Sequence, residues 1–425
     1  MTSHLTPAIL GSSVHLDPYF KSAAGDGHSA IPTGTQILSS GDAFSPFMVV
    51  KRDALAHNLT TMARYCRDEG VQLAMHGKTS MSPELTMAQL NAGAWGVSAA
   101  TPSQVRVFRA FGVRNVLLAN ELVDPAGIRW IAEYQAAHAD EEFYCYVDSV
   151  AGVELLETEL AALAFGVVID VFVEVAVEGG RTGARERTTI FEVARATVAA
   201  RHLRLIGVAG YEGALASDRS SEAIQRVRDY CAYVGAVAVE LDRARLFEVP
   251  DVALSAGGGA YFEIVVDVFK TVELPFSRRR IIIRSGSYLS HDDGLYARIA
   301  AFAQPGAAYS LQSALELWGR VLSRPEPTLA FIDFGRRDAS FDQGLPIPHA
   351  VRSRDGLNER PVSDFVITAL NDQHAYLKVP AEDPLAPGDW VASGISHPCT
   401  AFDKWRYLPV VDASYAVVGS ITTYF

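Results

Sequence analysis

Long apolar runs are missing from this chain. No stretch of its 425 residues reaches the roughly 18 consecutive apolar residues that a membrane span needs, so no membrane partner is expected. Cysteine is scarce. Cys66, Cys145, Cys231 and Cys399 are the four, with no Cys-x-x-Cys among them, which points away from a disulfide scaffold and toward free thiols in a reducing compartment. Basic clusters are missing too. Net charge is −12 and lysine and arginine are scattered, so nucleic acid is not an expected partner. The densest basic run, "SRRR" at 277–280, reads better as the flank of a strand. The opening "MTSHLTPAILGSSVHL" has neither a basic start nor a long apolar core, which argues against a secretory signal, and a cytoplasmic protein is expected. No GxGxxG follows a strand, so a dinucleotide fingerprint is absent.

What is present is a composition with ample apolar mass for a core, 49% hydrophobic and 20% charged, as in soluble globular proteins. Residues 1–44 are rich in Gly, Ser, Thr and Pro and read as an irregular arm, expected to lie on the β domain described next. After "FMVVK" (47–51) and a helical run over 53–70 with Asp53 at its N-cap, a rhythm of short strands and helices sets in. The strands are "VQLAMH" (71–76), "WGVSA" (95–99), "NVLLA" (115–119), "EFYCYV" (142–147), "VIDVFVEVAV" (168–177), "LRLIGVAG" (203–210), "DVALSA" (251–256) and "RIIIRS" (280–285). Nearly continuous apolar strands alternating with helices mean a parallel sheet. Eight such units predict a (β/α)8 barrel over 45–285, with an open doubly wound sheet as the alternative. The strand at 47–51 is open to either domain. From 286 to 425 the helical rhythm is lost, and short β-rich runs predict an all-β domain.

Chemistry in such barrels gathers at the C-terminal ends of the strands. Lys78, in "MHGKTS", follows the first strand. "EGGRTG" (178–183), "YEG" (211–213), "SAGGGAY" (255–261) and "GSY" (286–288) follow the fifth to the eighth. The triple glycine 257–259 is expected to open the next helix, where backbone N–H groups attract anions. A plain βα turn is the bland reading of it. A partly desolvated lysine can form a Schiff base with an aldehyde, although a surface lysine capping a turn is the plainer possibility. A lysine and a phosphate nest on one rim together suggest pyridoxal phosphate. Arg181 and Tyr211 are rim candidates, against a solvated loop and an aromatic layer. In "GISHPCTAFDKW" (394–405), His397 and Cys399 would project the same way from an extended segment, a pairing that suits zinc or is simply a packed thiol beside a loop histidine. His374, in "NDQHAYLKV", is a candidate general acid or a strand histidine.

Taken together, "MHGKTS", "EGGRTG", "GYEG", "SAGGG", "RSGSY", "NDQHAYLKV" and "SHPCTAFDKW" resemble, in order, the pyridoxal-phosphate fold type III family of D-serine dehydratases and D-threonine aldolases, from about residue 45 to the end. "FGRRDASFDQGLPIP" (334–348) is similar to bacterial amino-acid deaminases. The last position of the lysine motif, often histidine in the family, is Ser80 here. The resemblance implies an alanine-racemase-type barrel with a C-terminal β domain that carries the metal site. It implies Lys78 as the Schiff-base lysine and Arg181 beside the cofactor phenolate. Tyr211 would lie near the ring. Ser255, Gly257, Gly258, Gly286 and Ser287 would surround the phosphate, and His76 and Tyr288 would also be at the cofactor. His397 and Cys399 would hold zinc or another divalent metal. His-x-Cys resembles the dehydratase branch, His-x-Asp the aldolase branch.

The expectation is therefore a homodimeric lyase that converts D-serine, or another β-hydroxy D-amino acid, to a keto acid and ammonia. A D-threonine aldolase giving glycine and an aldehyde is the alternative. A pyridoxal-phosphate carrier and a racemase are further ones.

Overall fold

The computed structural model describes Lys21, residues 31–304 and residues 306–425. Of the arm expected at 1–44, positions 1–20 and 22–30 lie outside the described residues. Strand β1 (Phe47–Lys51) and helix α1 (Arg52–Glu69) come first. The helix starts one residue earlier than expected, so Asp53 lies in its first turn instead of capping it. Gly70, just past its end, takes φ +67°, the left-handed conformation that glycine adopts without cost.

Eight parallel strands follow. They are β2 (Gln72–His76), β3 (Gly96–Ala99), β4 (Asn115–Glu121), β5 (Glu142–Val147), β6 (Ile169–Glu174), β7 (Leu203–Ala209), β8 (Asp251–Ala256) and β9 (Arg278–Ile283). They close into a barrel in chain order, with β9 paired to β2. This is the (β/α)8 architecture, and the open-sheet alternative falls away. Ala74, Leu117, Tyr144, Tyr146, Phe172, Ile206, Ala209, Ala253 and Ile282 form one buried cluster from strands around the barrel, so its interior is a packed core. Several helices begin on a residue whose side-chain oxygen accepts the N–H three positions on: Thr101 from Gln104, Asp124 from Gly127, Ser149 from Gly152 and Ser220 from Ala223. Proline at the first helical position, Pro102 and Pro125, sharpens two of these starts. The "SRRR" run belongs to β9. Arg278 is forked onto Asp251 and Arg280 donates to Tyr144, so these arginines are engaged within the fold.

The remaining strands are β10 (Leu315–Glu326), β11 (Leu329–Ile332), β12 (Ile347–Arg352), β13 (Glu359–Pro361), β14 (Val366–Leu370), β15 (Ala375–Lys378), β16 (Trp390–Gly394), β17 (Tyr407–Val411) and β18 (Val417–Thr422). They form one sheet in the order β13-β12-β16-β10-β1-β17-β18, and β10 continues onto β11, which leads through β15 to β14. Strand β1 is thus part of this sheet, antiparallel to β10 and parallel to β17. Register shifts in the second half of β10 let one twelve-residue strand serve both parts. By contact density the chain divides into two compact units, one holding the barrel (64–78 and 93–286) and one holding the sheet (up to 63, 79–92 and 287–425). Residues 31–44 belong to the sheet unit. The Ile31 N–H donates to the Tyr407 hydroxyl at 3.0 Å, and Trp390 Nε1 donates to the Leu38 carbonyl at 3.2 Å.

Candidate active site

In the barrel unit, β2 ends at His76 and a single 3-10 turn, Gly77–Thr79, carries Lys78. Only glycine fits at 77, because a Cβ there would fall 2.3 Å from the Phe108 ring. Burial first, then the charges of Arg284, Lys78 and Arg181, hold the His76 imidazole well below its ordinary value, so it is neutral at neutral pH. Its buried Nδ1 has no hydrogen-bond partner among the described residues. Gly286 lies so close to β2 that a Cβ would sit 2.5 Å from the His76 carbonyl oxygen. The ends of β2 and β9 are thereby pressed together.

Arg284, just past β9, is 2% exposed. It donates to Ser255 Oγ at 2.8 Å and to the Gly210 carbonyl at 2.5 Å, while its Nε has no partner among the described residues. One guanidinium therefore ties the ends of three neighbouring strands. The Arg181 guanidinium lies over the Tyr211 ring, 4.5 Å from its centre, a cation–π contact.

The triple glycine departs from expectation. It does not open a helix. Gly257 is at φ +93° and the next helix begins at Phe262. The Gly257 and Gly258 N–H groups donate to the two carboxylate oxygens of fully buried Glu212, at 3.0 and 2.6 Å. The nest that the sequence offers to a phosphate holds the chain's own carboxylate, because an anion on a second loop satisfies the same donors.

A second set of acids was not singled out in the sequence. Glu121 ends β4, Glu174 ends β6 and Asp148 follows β5. Burial first, then Glu174 and Asp148, push the Glu121 carboxyl well above the usual carboxylate range. Asp148 accepts the Gly183 N–H at 3.1 Å, fixing the loop that carries Arg181. The signal for Glu174 was a charged residue inside "VIDVFVEVAV". For Arg284 it was an arginine directly after "RIII".

In the sheet unit, His397 and Cys399 are not on an extended segment. His397 is left-handed at φ +66°, Pro398 is helical and Cys399 begins a short helix, Cys399–Phe402. The cause is local: buried Asp292 takes the His397 N–H at 2.8 Å. The imidazole Nδ1 lies 2.5 Å from Asp342 Oδ2, and Thr400 Oγ1 donates to Asp342 Oδ1 at 2.6 Å. Cys399 Sγ is 3.5 Å from the hydroxyl of Thr79, the residue after Lys78 in the chain. The Cys399 sulfur and the Asp342 carboxylate raise the imidazole to about 9, against the opposing effect of burial. Among the described residues no cluster of three or more His, Cys, Asp and Glu is arranged to hold a metal. Ser287 and Tyr288 are buried. His374 is exposed, in the turn between β14 and β15 and not in a strand, with its carbonyl accepting the Asn371 N–H at 2.9 Å. Nothing around its ring assigns it to the chemistry.

The barrel residues fit a phosphorylated aldehyde: an amine at a strand end, cationic surroundings, glycines that allow close approach, and buried polar atoms on His76 and Arg284 without partners. This fold and this rim define the fold type III class of pyridoxal-phosphate enzymes, with an alanine-racemase-like barrel and an added sheet domain. The alanine racemase N-terminal domain family matches residues 50–264, just over half of the chain, and the chain belongs to it. A candidate serine dehydratase domain family matches residues 314–411. The 3-hydroxy-D-aspartate aldolase of Paracoccus denitrificans (strain Pd 1222) is 28% identical over 348 residues, covering 81% of this chain and 84% of that protein. The D-threonine aldolase of Filomicrobium marinum superposes with a TM-score of 0.74 at 23% identity, covering 91% of this chain and 96% of that one. The D-threo-3-hydroxyaspartate dehydratase of Delftia sp. HT23 gives 0.71 at 21% identity, with 90% and 97% covered. Among the described residues no helix is long and apolar enough to cross a membrane.

Proposed function

We propose that the chain is a lyase dependent on pyridoxal phosphate and a divalent metal, zinc by preference, that converts β-hydroxy D-amino acids, D-serine first among them, to a keto acid and ammonia. The observation that carries this reading is the His397–Cys399 pair, a thiol beside an imidazole, within the segment matched by the serine dehydratase domain family. A solved structure of a D-threo-3-hydroxyaspartate dehydratase with a cysteine-to-alanine substitution is of a metal-free form, which supports a cysteine as ligand here.

When bound, pyridoxal phosphate supplies an aldehyde for an amine and a ring that accepts the charge left at Cα. Lys78 is the residue that would hold this aldehyde and, when free, take the α-proton on Nζ. Arg181 and Arg284 give the rim the positive charge that suits phosphate, phenolate and carboxylate groups. Neutral His76 leaves one ring nitrogen for a hydrogen bond. Tyr211, Ser255, Gly286, Ser287 and Tyr288 complete the proposed binding set, with Gly257 and Gly258 shaping the pocket through their turn on Glu212. His397 and Cys399 would hold the metal, a Lewis acid for the β-hydroxyl, which is otherwise a poor leaving group near neutral pH.

Cleavage between Cα and Cβ is the second reading, and the two aldolases among the matched relatives favour it. The purified protein is incubated separately with D-serine, D-threonine and 3-hydroxy-D-aspartate. Pyruvate with ammonia from D-serine supports dehydration. Glycine with an aldehyde from D-threonine replaces it with the aldolase. Loss of optical rotation without ammonia would indicate a racemase, and bound cofactor with no turnover a carrier. The reading includes a homodimer, which light scattering tests.

A further inference from the structure

We infer that Asp342 is a positioning residue that fixes His397 in the tautomer protonated at Nδ1, so that Nε2 presents its lone pair to a divalent metal. The inference rests on the metal reading above and extends it to a residue outside the pair. The two atoms are 2.5 Å apart. A carboxylate only accepts, so the proton between them sits on Nδ1. When the ring gives up its second proton to bind a cation, the proton on Nδ1 stays held and the lone pair is freed on Nε2.

Both oxygens of Asp342 are already engaged. Oδ2 is spent on the ring and Oδ1 on the Thr400 hydroxyl at 2.6 Å. The backbone is fixed from the other side, because the Asp292 carboxylate takes the His397 N–H at 2.8 Å and also the Tyr296 N–H at 2.8 Å. Ring rotation and backbone rotation are thus both constrained by carboxylates, with His397 held at φ +66°. Such an arrangement is worth building where a side chain must point one nitrogen in one direction. Asp342 lies in "FGRRDASFDQGLPIP", 55 residues from His397. No local pattern joins them.

The test measures metal binding and not turnover. Zinc affinity of the full-length protein is determined by competition with a chromophoric chelator for the native chain, Asp342→Asn and Asp342→Ala. The expected result is graded. Asp342→Ala weakens zinc about 10- to 100-fold. Asp342→Asn, which keeps an oxygen to accept from Nδ1 but loses the charge, weakens it less. The cobalt-substituted variants keep the thiolate-to-cobalt band of the native protein, because the ligand set is unchanged. Zinc affinity of Asp342→Ala within twofold of native overturns the inference, as does a changed cobalt spectrum, which would make Asp342 a ligand. If Asp342→Ala fails to fold, an Asp342→Asn variant with native affinity overturns it equally. Native protein whose zinc affinity is unaffected by Cys399→Ala and by His397→Ala fails differently: the metal pair is then wrong, and the role of Asp342 falls with it.

Discussion

At the barrel rim, Lys78, Ser255 and Arg284 stand at or just past the ends of parallel strands. His397, by contrast, owes its direction to two carboxylates and a left-handed backbone. The rim inherits its precision from ladder register, shared among eight strands. The proposed metal pair depends on a few side-chain contacts, Asp292 and Asp342 above all. Groups on regular elements survive changes in loops, whereas groups held by single contacts are lost one contact at a time. The two centres should therefore fail separately, and each in its own way.

The largest effect is expected at Lys78. Lys78→Ala should lower turnover about 10⁴-fold and abolish the covalent attachment of cofactor after borohydride reduction, while zinc affinity stays native. A mass spectrum of the reduced protein with cofactor still on the chain at another lysine would move the centre elsewhere. Next comes the pair. Cys399→Ala, or stripping of metal by EDTA, should cost about 10³-fold in ammonia release from D-serine, a Lewis acid being worth several kcal/mol. Exchange of the α-hydrogen with deuterated water should persist, because the proposed function gives that proton to Lys78. If exchange and ammonia release vanish together, the division of labour between the two centres is wrong.

The barrel was legible because its strands are short apolar runs between turn residues. The eight spans expected lie within a few residues of the observed ones, and the rim motifs fall where strand ends place them. What was not legible was held by partners distant in sequence. Glu212 meets Gly257 across 45 residues, so the glycine turn looked like a vacant anion nest. Asp292 meets His397 across 105, so the "SHPC" stretch looked extended when one residue of it is left-handed. Local pattern reports period and turn chemistry, and it carries no record of which buried acid will take a given N–H. Arg284 and Glu174 were visible only as charges out of place in apolar strands, and Glu121 lay just past the expected end of its strand.

Acid sharpens the comparison further, because the sheet unit holds a buried carboxylate of its own. Burial alone would raise Glu316. The His349 hydrogen bond, the Lys51 and His349 charges and the Tyr415 hydroxyl reverse this and bring it down to about 2. A carboxylate with a depressed folded value adds stability above its unfolded value, and that stability is lost as pH falls through the folded one. Against an ordinary value of 4.5, the difference corresponds to about 3 kcal/mol, lost progressively below about pH 4.5 and largely gone near pH 2. Trp318 donates to Glu316 at 2.7 Å, so tryptophan fluorescence should follow the transition, and Glu316→Gln should flatten its acid limb. An unchanged acid limb would mean that other carboxylates govern it.

The smallest effect concerns the turn that Glu212 holds. Gly257 and Gly258 could keep their conformation without it, since the Gly257 carbonyl also accepts the Arg284 N–H at 2.9 Å. Glu212→Gln retains an acceptor for one glycine N–H and turns the other oxygen into a donor that faces a donor. A charge-assisted bond is worth roughly twice a neutral one, so the substitution should cost about 1–2 kcal/mol in thermal stability. Cofactor should dissociate faster, because the turn that shapes its pocket loosens. Zinc affinity should not move, because the contacts that hold His397 lie wholly within the sheet unit. Faster cofactor loss with native zinc binding would set the two centres apart by a single hydrogen bond. Native cofactor retention would show that the backbone of the glycine turn, and not the carboxylate, keeps the rim in shape.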